Sequence, residues 1–136
     1  MNWPTALQEV IDDFVEIDDQ FERLETVMDF SNEVVELPFE EWNEANRVHG
    51  CQSEAHVEIS IIDRIVNMRA GADAQIVQGL MGILTIAVNG TSCEDVMNLS
   101  PDFAEEMGIL NSLTPSRSNG FRTMFDMIQN SVKEMM

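Results

Sequence analysis

At 136 residues with 44% hydrophobic content, the chain is long enough to bury a core as one domain, 1–136, and too apolar for a disordered acidic tail. Its 25 Asp and Glu against 7 Lys and Arg give a formal net charge of −18 at pH 7. Such a surface repels phosphate backbones and acidic lipid headgroups, so no nucleic acid and no membrane is expected as a partner.

No apolar run approaches the roughly 18 residues of a membrane span, and Met1-Asn2-Trp3-Pro4 lacks the basic and apolar regions of a signal peptide. The expected location is cytoplasmic. Abundant acid with a single lysine, Lys133, fits a salt-adapted surface, with a basic partner as the competing explanation. Cys51 and Cys93 suit two free thiols better than a disulfide, because nothing points to an oxidising compartment.

In chain order, Asn2 is placed to cap a first helix, with Pro4 in its opening turn and Leu7, Val10, Ile11 and Phe14 as its core stripe. Asp18 or Asp19 caps a second helix, whose stripe is Phe21, Leu24, Val27 and Met28. From Ser31 to Arg47 the periodicity breaks. Leu37-Pro38 marks a turn, and Glu40, Glu41 and Glu44 around Trp42 read as the solvated face of a surface connector with room for one short helical turn. Beyond Cys51 the period becomes two. Ala55, Val57, Ile59 and Ile61 alternate with His56, Glu58 and Ser60, as in a half-buried strand. Asp63-Arg64 suits a tight turn although it has no glycine, and Ile65 to Ala70 returns with Val66, Met68 and Ala70 on one face.

Asp73 is the expected N-cap of a long, mostly apolar helix from Ala74 to about Asn89. Gly79 and Gly82 weaken that helix by roughly 1 kcal/mol each relative to Ala, which close packing against the sheet would offset. A short helix capped by Thr91 or Ser92 follows, then one from Ser100-Pro101 to about Met107, a connector from Ile109 to Leu113, and the segment Thr114–Gly120. That segment leads into a last helix carrying Phe121, Met124, Phe125, Ile128 and Val132. The pattern is α+β, a small antiparallel sheet packed against several helices.

Little in this chain supports standard catalytic chemistry. It has no nucleophile elbow, phosphate loop or dinucleotide glycine pattern, and carboxylate pairs are too common here to mean anything. His49, Cys51, His56 and Cys93 sum to a Cys2His2 set, but their spacing is wrong for zinc modules, so no metal is expected. Cys93 reads as a small core residue. Cys51 reads as a reactive thiol: Gly50 permits unusual backbone angles and close approach, and the segment lies at a boundary between elements. A thiolate in so acidic a chain needs local positive charge, for which His49, Arg47 and Arg117 are the candidates.

Three blocks together resemble the SufE family of sulfur acceptors that activate cysteine desulfurases. They are Val48-His49-Gly50-Cys51-Gln52-Ser53, Asp73-Ala74-Gln75-Ile76-Val77-Gln78-Gly79-Leu80, and Leu113-Thr114-Pro115-Ser116-Arg117-Ser118-Asn119-Gly120. Their order and separation match that family over nearly the whole chain. The resemblance implies a SufE/IscU-like fold. It implies that Cys51 accepts persulfide sulfur from a SufS-type, pyridoxal-phosphate-dependent cysteine desulfurase and passes it to iron–sulfur assembly through the SufBCD scaffold. His49, Gly50, Gln52, Ser53, Asp73 and Arg117 would support Cys51 or bind the partner. No cofactor on this chain is implied, and the expected state is a monomer or weak dimer. Two positions depart from the family pattern: His56 stands where tryptophan is common, and Ala72 where serine precedes Asp73. The competing reading is a cluster or metal scaffold of the IscU-like type, a role that ordinarily asks for three or more Cys and His ligands.

Overall fold

The computed structural model describes residues 3–50 and 53–136. The order is α1 (Thr5–Val15), α2 (Gln20–Asp29), three 3-10 turns between residues 30 and 46, β1 (Ala55–Ile62) and β2 (Ile65–Ala72). Then come α3 (Gln75–Val88), α4 (Cys93–Asn98), α5 (Phe103–Met107), α6 (Ile109–Ser112) and α7 (Pro115–Met135). The expected α+β class holds.

The two strands form one antiparallel hairpin, in register from Ala55↔Ala72 to Ile62↔Ile65. Asp63 and Arg64 make the turn with φ of 53° and 66°. Two consecutive left-handed residues give the type I′ geometry whose twist matches the strands, achieved here without glycine. The inner face carries Val57, Ile59, Val66, Met68 and Ala70, all buried, with α3 and α7 packed against the hairpin. The outward amides of β2 are all satisfied. Val66 donates to the Thr91 carbonyl (2.8 Å), Met68 to Asn89 Oδ1 (2.9 Å), Ala70 to the Val35 carbonyl (3.0 Å) and Ala72 to Gln78 Oε1 (2.8 Å). This edge is closed by loops and side chains instead of a third long strand.

Several expectations need correction. The Asn2 cap lies outside the described residues, and Pro4 occupies the N-cap position of α1 itself. Asp19 does cap α2, accepting from the Glu22 amide (3.3 Å). Phe21, however, is 76% exposed, because only Val27 of that stripe points fully into the core. Gly79 and Gly82 pack against the end of α2 and the turn after it, not the sheet. A Cβ at Gly79 would lie 2.1 Å from the Val27 carbonyl oxygen, and one at Gly82 1.8 Å from that of Phe30. Between Ile109 and Leu113 the chain is helical over Ile109–Ser112. Thr114 N-caps α7 by accepting from the Arg117 amide (3.3 Å), with Pro115 at the first helical position, so the Thr114–Gly120 block is helix and not its approach.

The connector is more structured than a solvated strip. Arg69 donates to both carboxylate oxygens of Glu41 (3.0 and 3.3 Å) and to its cross-strand partner Glu58 (2.9 Å). These bonds, Glu41 first and then Glu58, hold the guanidinium charged above its ordinary range. Trp42 lies on the outer sheet face. Its indole donates to the Leu37 carbonyl (3.0 Å), stacks on His56 with ring centroids 4.8 Å apart, and sits where a Gly71 Cβ would be only 3.0 Å away.

Candidate functional site

Cys51 and Gln52 lie outside the described residues, so the site is built from its two flanks. On the incoming side, Arg47 forms an isolated antiparallel bridge with His56, and the Val48 amide donates to the Ala55 carbonyl (2.8 Å). The chain then leaves the sheet through His49 and Gly50 and returns at Ser53. Gly50 has φ +87°, a conformation that favours glycine over any side chain. A Cβ there would lie 3.8 Å from Thr123 Oγ1 on α7.

The return is fixed by Asp73. Its amide donates to the Glu54 carbonyl (3.0 Å), and its carboxylate Oδ1 accepts from the Glu54 amide (3.1 Å). The expected role as N-cap of α3 is therefore wrong. Ala74 holds that position without a side-chain bond, because Asp73's carboxylate is already used across the loop base. Ser53 is half-buried beside this clamp.

The remaining sequence-selected residues divide into two places. Exposed His49 sits with Nε2 3.2 Å from Glu44 Oε1. With Arg47, Thr123, Asp126 and Asn130 it lines a groove of about 450 Å³ between the connector and α7. Arg117 lies six residues before Thr123 on α7, about 9 Å along the helix. It lines a separate, mainly apolar cavity of about 230 Å³ with Leu24, Met28, Ile76, Ser112, Leu113 and Thr114. Its Nε is buried and finds no hydrogen-bond partner among the described residues. Arg47 and His49 thus share one groove on the incoming flank, and Arg117 faces another.

His56, expected on a half-wet face, is 3% exposed, with Nδ1 2.6 Å from Asn46 Oδ1 and the ring covered by Trp42. Cys93, at the first position of α4, is 2% exposed, as a core thiol should be. Among the described residues no three His, Cys, Asp or Glu side chains gather as a metal-holding group, and no helix is long and apolar enough to cross a membrane. The residues that sequence reasoning passed over are Glu54, Asn46 and Trp42. The capping of the last 3-10 turn, Asn43 with Asn46, is visible as two Asn three apart, but nothing local says that Asn46 also reaches His56.

What the fold and flanks define is a small α+β domain in which the two flanks of the Cys51 segment meet at the base of the hairpin. A family model described as an Fe-S metabolism associated domain, SufE, matches residues 8–132, and the chain belongs to the SufE family. It is 33% identical over 126 residues to an uncharacterised SufE-like protein of Synechocystis sp., covering 93% of this chain and 79% of that one. It is 28% identical to the SufE-like protein 1, chloroplastic/mitochondrial, of Arabidopsis thaliana, covering 93% of this chain but 34% of that longer one. A hypothetical protein from Thermus thermophilus, solved in solution, superposes with a TM-score of 0.82 at 23% identity, covering 98% of this chain and 97% of that one. That last likeness speaks for the fold alone.

Proposed function

We propose that this chain is a sulfur acceptor: Cys51 takes persulfide sulfur from a SufS-type cysteine desulfurase, stimulates that enzyme, and delivers the sulfur to iron–sulfur assembly through a SufBCD-type scaffold. The observation that carries the reading is the burial of Cys93 (2% exposed) in a chain of this family, which leaves Cys51 as the thiol for exchange with a partner. In the transfer, the Cys51 thiolate attacks the terminal sulfur of the donor persulfide. A new S–S bond forms, the donor's S–S bond breaks, and the donor cysteine leaves as thiolate while Cys51 keeps the S–SH. No electrons are gained or lost overall, and no cofactor on this chain enters the step.

Gly50 supports the reading through its left-handed backbone, which turns the chain sharply just before the thiol. Asp73 supports it by fixing where the segment rejoins the sheet. The test is to incubate the chain with the desulfurase and free cysteine and to follow intact mass. Cys51→Ser is expected to abolish both the one-sulfur adduct and the stimulation, and Cys93→Ser to retain both. Loss in both variants, or an adduct that maps to Cys93, would sink the single-thiol mechanism.

A further inference from the structure

We infer that the groove between the connector and the outer face of the hairpin docks an arginine side chain from an extended segment of a partner protein. Phe39 and Trp42 would receive the face of the guanidinium, and Glu40 and Glu44 its N–H groups. The inference stands apart from the sulfur-acceptor reading. The groove encloses about 430 Å³ and combines two aromatic rings with three carboxylates, those of Glu40, Glu44 and Glu54. Phe39 is 74% exposed, and its ring meets that of half-buried Trp42 with centroids 5.1 Å apart and planes inclined by 55°. The pair makes an aromatic corner open to solvent.

This corner is held in place by the chain itself. The Phe39–Glu41 turn follows Pro38, and the Trp42 amide donates to the Phe39 carbonyl (3.0 Å). The Trp42 indole is bonded to the Leu37 carbonyl and backed by His56. Glu41 is taken by Arg69, and the mutual cap of Asn43 and Asn46 fixes the far end of the connector. A site built in this way leaves little ordering to be done when it is filled.

The occupant's chemistry follows from the charges. Within the groove one guanidinium serves two carboxylates: Arg47 Nε lies 3.3 Å from Glu54, and its Nη1 3.9 Å from Glu44. Glu40 has no ion pair among the described residues. Aromatic faces carry negative potential, so rings and carboxylates alike favour a cation. With 25 Asp and Glu against 7 Lys and Arg, a further cation has to come from another molecule. Arginine suits the corner better than lysine. Its planar, weakly hydrated head stacks on a ring while its edge donates to carboxylates, and a compact ammonium cannot do both. A surface that is merely acidic would draw the two alike, so a preference for arginine marks the corner.

The test titrates the full chain with two probe peptides of equal charge, acetyl-Gly-Arg-Gly-Arg-Gly-amide and its lysine counterpart, followed by the indole N–H resonances. The Trp42 signal should shift and that of buried Trp3 stay still, with the arginine peptide bound about two- to fivefold more tightly. Phe39→Ala, at an exposed position that leaves the core untouched, should abolish the preference by weakening the arginine peptide alone. Glu40→Gln should weaken both peptides, and molar salt should do the same. An unmoved Trp42 resonance, equal affinity for the two peptides, or a preference that survives Phe39→Ala would each overturn the docking site.

Discussion

Replacing Gly82 with alanine should destabilise the fold, although alanine is the better helix former. The new Cβ would lie 1.8 Å from the Phe30 carbonyl oxygen and 2.7 Å from its carbon. Both contacts are with backbone, so no side chain can rotate away. α3 and the turn following α2 must separate by more than an ångström, and the core contacts on either side open with them. Overpacking of this kind costs typically 1–3 kcal/mol, and with backbone as the obstacle the upper end, about 3, applies. Against it stands a helix-propensity gain of about 1 kcal/mol. The net loss of about 2 kcal/mol corresponds to roughly 6–10 °C in Tm for a chain of this size. Thermal and urea melts followed by helical circular dichroism measure it. Gly79→Ala, with 2.1 Å to the Val27 carbonyl oxygen, should behave alike. The double variant should lose less than the sum, since both relieve their clash by the same separation. If Gly82→Ala melted at or above the wild type, propensity would outweigh the contact and the close-approach argument would fail.

Two more outcomes follow from other contacts. Arg69→Ala removes the paired bonds to Glu41 and the bond to Glu58, so a glutamyl endopeptidase should nick the 39–46 connector sooner while Tm changes little; an unaltered digestion course would mean that Trp42 and the Asn43–Asn46 cap hold the connector alone. Arg117→Ala leaves the Thr114 cap of α7 in place, so the fold should persist while stimulation of the desulfurase weakens; full stimulation would remove Arg117 from the mechanism.

Much of the architecture is legible in the sequence because it depends on neighbours three, four or two residues apart. The core stripe of α1, the alternation along β1 and the glycine-free turn at Asp63-Arg64 are local patterns, and each appears where periodicity places it. The site is legible in part. The Val48–Ser53 block marks the candidate segment, and Asp73 is read as a helix cap, a position that Ala74 holds. Its helix-cap reading weighs only the residues after it, whereas its carboxylate bonds an amide 19 positions earlier. Glu54 carries no signal of its own in so acidic a chain. Its partners, Arg47 and His56, become meaningful only when the hairpin brings both arms of the loop side by side.

By itself, then, the sequence determined the α+β class, the hairpin, most of the helices and the candidate thiol, since amphipathic period, turn residues and motif spacing are written along the chain. Tertiary structure decided which face is covered and what each charge meets. Phe21, on an otherwise apolar stripe, faces outward because α2 turns only Val27 fully inward. His56, on the polar side of its strand, is buried because Trp42 folds over it. Gly79 and Gly82 serve a helix–helix approach instead of a helix–sheet one, and Glu41, in a run read as solvated, pairs with Arg69 28 positions further on. The physical reason is common to all four. Burial and ion pairing are properties of residues far apart in sequence, and only the packed chain brings them within reach.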